Sequence, residues 1–455
     1  MELILIVEIF LFIPAKLVQG EPIVKIVTDA RKKKGEKLSR MNLLKKRDVY
    51  NIKSKVNYLE KETDHDGLII DSWVKKMDSG DPSKNPVIFY NPLDDKHNYF
   101  LVLIHSIQKI IYSLVHDGSI VYIKTKKGKP NVDFNLIGLS ILTENGEGYP
   151  IAFCVSNRTD YLTIYNFFKI VCNTLGTIHA QIFISDNICH YYTAWKNVMG
   201  ECENRLLCTF DIDVIWEQKL AELKCPIEKH ELASTRLKNL LKETDSDMFE
   251  SELVEMLNSW NEDTDLKPFV KSFYKFYGKR PCEWANCYRI HTNTKESLNN
   301  YLEPLNNDLE TIYQKGISDV YQSLNLLFEL VRNECLFHLM KWDGDILNEK
   351  LKEVLASHKE FEKSVTEIQC KGSEWTVLDS NSDFVVNKLD NECEKECGIV
   401  CENCNICIHD YNCSCNDYVI GFNICRHIHA VATSEMSQLQ GSTAQIPSKL
   451  VAVSI

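Results

Sequence analysis

A chain of 455 residues that is 44% apolar and 25% charged has the make-up of an ordinary globular protein with room for two or three domains, which excludes disorder as its default state. A formal net charge of −12 excludes a surface wrapped everywhere in nucleic acid, because phosphate binding takes clustered Lys and Arg to release counterions. The 18 cysteines do not form the framework of a small disulfide-stapled domain, since a chain this long builds its own core; their density near the carboxyl end points to metal binding.

The first run, MELILIVEIFLFIPAKLVQG, has the apolar middle of a signal peptide but no basic start, and it carries Glu8. It is also too short to span a bilayer with margin, so we read it as a buried strand or an artefact of the predicted start, and expect no membrane partner. A basic cluster follows, from Lys25 through Arg31 and Lys34 to Lys55, either a solvated arm or a local nucleic-acid contact. Residues 1–80 thus read as a basic, helical N-terminal region with an apolar start, MNLLKKRDVYNIKSKV carrying helix-like spacing and SGDPSKNPV marking a boundary.

NYFLVLIHSIQKIIYSLVHDG predicts one amphipathic helix closed by Gly118. The periodicity then changes: SIVYIK, FNLIGLSILT, YPIAFCVSN and AQIFISD read as strands, an Asn-Gly turn joins the second to the third, and YLTIYNFFKIVCNTL is a helix between the last two. Strands, a helix and further strands predict a mixed α/β sheet. From about residue 212 to 360 the pattern is helical, and EWTVLDSNSDFVVNKL is a last β-like stretch.

Asp186 closes the strand QIFISD; an acid there can hold a metal, since ligand sites gather at the C-terminal edge of α/β sheets, or simply cap the next helix. In the tail, CSCNDYVIGFNICRHIH sets Cys413, Cys415, Cys425 and His427 in a C-x-C-x(9)-C-x-H arrangement. Zinc takes four such ligands in a tetrahedron, and a unit with so few aliphatic residues would be folded by its metal. His429 can replace His427 as ligand, and we expect it instead to pack as a satisfied histidine. Upstream, CENCNICIH offers Cys401, Cys404, Cys407 and His409 as a candidate second zinc site, with Cys393 and Cys397 as substitutes or free thiols. One zinc ion is expected, and a second if this cluster also binds.

The tail pattern, with its CRHIHAV ending, resembles a SWIM zinc finger, a compact ββα module. The segments VDFNLIGLSILTENGEGYPIAFCVSN, IFISDNICHYYTAWKNVMG, RLLCTFDIDVIWEQKL and EWANCYRIHTNTKESLNNYL resemble the transposase domain of Mutator-like elements, over roughly residues 95 to 430. The resemblance implies a ribonuclease-H-like α/β core with an all-helical insertion, in which an Asp, Asp, Glu triad holds two divalent metals for cutting and joining DNA. It divides the chain into a transposase-like domain at 95–330 with its insertion at about 217–285, a helical and short β connector at 331–392, the SWIM region at 393–435 and a tail at 436–455.

Asp186 then matches the second acid and Glu296, in TNTKES, the third, although the spacing before Glu296 is one residue shorter than the family's usual form. The first acid position falls on Lys124, with Asp133 and Glu144 near it in sequence but out of place. A lysine ammonium where Mg²⁺ should bind repels the ion. Cys208 is followed by Asp211 where the family carries a C-x-x-H pair. Two departures at chemical positions imply a catalytically inactive, transposase-derived, nuclear zinc protein that binds DNA or a protein partner, with Arg426 offered to phosphate. The alternatives are an active transposase or nuclease using Mg²⁺, and a protein-binding adaptor.

Overall fold

The computed structural model describes residues 66–439 apart from 79–81, 93–97, 116–119, 127–133, 144–146, 187–188, 290–297, 319, 380–382, 390–392 and 394–396. The apolar start, the basic cluster from Lys25 to Lys55, the Asn-Gly turn, Asp133, Glu144 and Glu296 lie outside the described residues. The chain divides into two compact units, Ile69–Gly344 and, among the described residues, Asp66–Leu68 together with the part from Asp345 onward.

Helix α1 (Asp66–Asp78) carries the chain into the first unit, which continues with strands β1 (Val87–Asn91) and β2 (Phe100–Leu103) and helix α2 (Ser106–Val115). The single amphipathic helix expected from NYFLVLIHSIQKIIYSLVHDG is therefore a strand and a shorter helix. Phe100–Leu103 is an apolar run that pairs on both edges, with β1 and with β5 (Gly148–Ser156), and only beyond it does the 3.6-residue spacing hold. The break is fixed locally: Gln108 Oε1 accepts from the His105 backbone N–H at 2.7 Å, and His105 Nδ1 accepts from that of Ile107 at 3.1 Å.

Strands β3 (Ile120–Lys126), β4 (Asn135–Leu142) and β5 form an antiparallel meander, as the sequence leads one to expect. Every residue of β4 is buried, the pattern of a strand covered on both faces. Helix α3 (Tyr161–Leu175) returns the chain to β6 (Ile182–Ser185), which pairs parallel with β3; helix α4 (Cys189–Met199) then leads to β7 (Asn204–Leu207), parallel with β6. The seven-stranded mixed sheet runs β1-β2-β5-β4-β3-β6-β7. Helices α5 (Thr209–Ala221), α6 (Ile227–Lys242), α7 (Ser246–Glu262) and α8 (Lys267–Phe273) follow around their own core, in which Trp216 meets Phe273, Tyr277 and Trp284 with ring centroids 5.3 to 5.4 Å apart. The unit ends with α9 (Leu298–Ser318), α10 (Val320–Val331) and α11 (Phe337–Trp342).

The second unit opens on the long helix α12 (Gly344–Ser364) and strands β8 (Val365–Lys371), β9 (Glu374–Asp379) and β10 (Asp383–Lys388). The β-like stretch read from the sequence is β9 with β10. A small hairpin of β11 (Val400–Cys401) and β12 (Ile406–Cys407) precedes β13 (Tyr411–Cys413), which joins the other strands in the order β13-β10-β9-β8. A one-turn helix α13 (Asn416–Val419) and helix α14 (Arg426–Leu439) complete it. Among the described residues no helix is long and apolar enough to cross a membrane.

Candidate metal centre

Strand pairing determines where the tail ligands meet. Val386 of β10 stands opposite Cys413, so Cys413 is held at the end of a sheet strand. Cys415 begins α13, and Cys425 and His427 lie at the start of α14. The intervening IGFN turns the chain: a side chain at Gly421 would collide with the Asp417 carbonyl oxygen, and Phe422 adopts a left-handed φ of 51°. Lys350 Nζ on α12 donates to the Gly421 carbonyl at 2.8 Å and anchors that turn.

The donor atoms of Cys413, Cys415, Cys425 and His427 all lie within 4.8 Å of one another, and all four residues are buried. Cys413 Sγ and His427 Nδ1 are 3.7 Å apart. That is close to the S···N edge of about 3.5 Å in a tetrahedron with Zn–S near ~2.3 Å and Zn–N near ~2.0 Å. Burial pushes the Cys413 and Cys425 thiols well above the usual range, whereas at Cys415 it is outweighed by hydrogen bonds from Cys413, Cys425 and His427, which hold that thiol well below it. Three buried sulfurs this close together call for a countercharge, which a bound dication would supply.

The surroundings also suit a metal ligand. His427 Nε2 faces the Asp379 carboxylate at 3.5 Å, and Phe384 stacks on its ring with centroids 4.2 Å apart. A carboxylate behind a ligating histidine fixes its orientation and raises its basicity. Sequence spacing alone could not reveal Asp379 or Phe384, because both come from the preceding β9 and β10. Arg426 donates to Glu360 and Asp379, each at 2.5 Å. The guanidinium expected to meet phosphate is instead held by two carboxylates.

Cys401, Cys404, Cys407 and His409 do not converge. In the β11–β12 hairpin Cys401 stands opposite Ile406 and Val400 opposite Cys407. Opposed residues share a face and successive ones alternate, so Cys401 and Cys407 leave the hairpin on opposite sides. Cys401 and Cys404 gather with His358 and His429, while Cys407 and His409 gather with Cys393 and Cys397, each set with its donor atoms within 4.8 Å. His429, expected to pack as a satisfied histidine, has Nδ1 at 3.4 Å from Cys404 Sγ. His358 lies on α12, more than forty residues before the cysteines it joins, and no local motif could have announced it. Several Cys/His groups in this unit can therefore hold a metal ion, and their sulfur and imidazole donors suit zinc.

In the first unit, β3 and β6 run parallel with Tyr122 beside Ile184, so that Lys124, two residues on in β3, and Asp186, one residue past the end of β6, come at the sheet's C-terminal edge. The chain leaves β7 there and enters α5, whose first turn carries Asp211. Lys124 Nζ forms an ion pair with Asp211 Oδ1, the lysine side chain being 4% exposed and the aspartate 21%. Both line a cleft of about 800 Å³ that also includes Asp186, Trp216, Phe273 and Tyr313. The buried Tyr122 hydroxyl sits 3.8 Å from Cys208 Sγ, and burial first, then the Cys208 and Asp211 charges, keep it far from ionising.

No protein-family model matches the chain, and no curated protein matches it.

Proposed function

We propose that this chain is a zinc-binding protein derived from a Mutator-like transposase, catalytically inactive, with a SWIM-type finger at Cys413, Cys415, Cys425 and His427. The antiparallel meander β5-β4-β3 continued by parallel β6 and β7 supports a ribonuclease-H-like core, and the helices from α5 to α8 fit the expected insertion.

One observation carries the loss of catalysis. The two positions at which the sequence departs from the family's chemistry, Lys124 and Asp211, are paired with each other beside Asp186. An ammonium there meets any approaching cation with repulsion, about 4 kcal/mol per pair of unit charges at 4 Å and an effective dielectric near 20, and it occupies the Asp211 carboxylate. A divalent metal would have to displace a half-buried ion pair rather than fill a ring of unpaired acids.

The remaining role is recognition, of DNA or of a protein, in the nucleus. The pairing of Arg426 with Glu360 and Asp379, together with the net charge of −12, favours a protein-binding adaptor over a finger that grips phosphate. Incubating the purified chain with terminal-repeat DNA and Mg²⁺ or Mn²⁺ tests the inactive reading: no nicking is expected, and metal-dependent nicking removed by Asp186→Asn would establish an active nuclease instead. Salt-sensitive binding to the same DNA would favour the DNA-binding role over the adaptor.

A further inference from the structure

We propose that the tail holds two further zinc ions in a cross-braced arrangement, one bound by His358, Cys401, Cys404 and His429 and the other by Cys393, Cys397, Cys407 and His409. Along the chain the ligands alternate between sites, with His358 and His429 single and the cysteine-rich ligands between them in close pairs. Cys393 with Cys397 and Cys407 with His409 meet at one point; Cys401 with Cys404, lying between them, meets His358 and His429 at another. The hairpin geometry that sends Cys401 and Cys407 to opposite faces is the physical origin of this alternation.

Distances at the first site fit a tetrahedral metal better than a set of thiol hydrogen bonds. His358 Nδ1 lies 3.8 Å from Cys401 Sγ and 3.2 Å from Cys404 Sγ, and His429 Nδ1 lies 3.4 Å from Cys404 Sγ. These bracket the S···N edge of about 3.5 Å expected around zinc. The His429 tautomer is also set: its Nε2 faces the Val354 carbonyl at 3.2 Å. A carbonyl only accepts, so Nε2 carries the proton and Nδ1 turns a lone pair toward the sulfurs, the usual outer-shell arrangement for a ligating histidine. Val354 and His358 lie one turn apart on α12, which thus supplies both a ligand and the group that orients another.

At the second site His409 Nδ1 is 3.1 Å from Cys393 Sγ. The His409 backbone N–H donates to Cys407 Sγ at 3.4 Å, while Asp410 Oδ2 accepts from the Cys407 N–H at 2.7 Å and fixes the turn. An amide directed at the sulfur stabilises its thiolate form. Asn405 takes the left-handed φ of 53° that lets the chain double back between the two sites, a conformation Asn tolerates better than most residues.

The arrangement couples two of the sites through α14, and the β11–β12 hairpin joins the third to them. The first turn of α14 gives His427 to the SWIM quartet and His429, two residues on, to the His358 site. The metals thus clamp α12, the hairpin and α14 into one piece.

Zinc content of the full-length chain, reconstituted with Zn²⁺ under reducing conditions and measured by native mass spectrometry, tests this. Three ions are expected for the wild type and two for His358→Ala. His358→Cys, which restores a ligand, should return the count to three and covers the case in which the alanine variant folds poorly. With Co²⁺ in place of Zn²⁺, His358→Ala should remove the Cys₂His₂ component of the visible spectrum and leave the Cys₃His component. A wild-type count below three, or an unchanged count in His358→Ala, would overturn the proposal. A count of one that vanishes in Cys425→Ser would do so while leaving the SWIM zinc in place; a count of zero would remove both.

Discussion

Lys124 and Asp211 are unequal partners, and the inequality can be measured. Truncating one member of a buried ion pair leaves the other without compensation, a loss of about 3–5 kcal/mol when the survivor cannot reach water. Lys124 cannot, with a side chain 4% exposed, whereas Asp211 is 21% exposed and can turn outward. Asp211→Ala should therefore destabilise the chain by about 3 kcal/mol, and Lys124→Met by clearly less, in urea unfolding followed by tryptophan fluorescence. Equal losses would mean that the pair is solvated from both sides. Both residues stood out in the sequence as departures from a pattern. That they meet was not legible there, because contact between β3 and the first turn of α5 depends on parallel pairing across β6 and β7. The Cys413, Cys415, Cys425 and His427 set was legible, since its spacing is local; His358 and Asp379 were not, because each reaches its site from a separate element.

Among the elements, α3 was predicted over the residues it occupies, and its boundaries have identifiable causes. Asp160 caps it by accepting from the Thr163 N–H at 3.0 Å, and Gly176, at a φ of 86°, ends it with its N–H on the Cys172 carbonyl. Burial alone would raise the Asp160 carboxyl, but the Thr163 amide and the Arg158 guanidinium outweigh it and hold it below the ordinary range. A carboxylate lowered on folding contributes stability that is present above its unfolded pKa, near ~3.9, and is lost as pH falls through the folded value. Asp160→Ala should cost about 1 kcal/mol at neutral pH and much less at pH 3, in paired urea titrations; a penalty independent of pH would assign the loss to packing. The hairpin β11–β12 teaches the opposite lesson. Four ligands close in sequence look like one site until strand alternation separates them. The run Phe100–Val115 misled for a related reason: an apolar stretch shared by a short strand and a helix has no periodicity that marks the change.

At the scale of the whole molecule, the two units are stabilised by different means. The first has a broad apolar interior, with β3, β4 and β5 almost entirely buried, so apolar burial is expected to hold it together. The second has, among the described residues, two small sheets, two principal helices and three quartets of Cys and His. Its strands and turns are held where the ligands are, so its order should follow metal occupancy. The mixed α/β character and the cysteine-rich metal region could be read from the sequence, because apolar periodicity and ligand spacing are local signals; the division of the tail ligands into interleaved sets could not, because it depends on pairing. Hydrogen–deuterium exchange of the full-length chain, with and without a chelator, tests the central claim most directly. We expect the amides from residue 397 to 432 to lose protection on chelation while those of β3 to β7 keep theirs, and equal protection of the tail in both conditions would contradict a module folded by its metal.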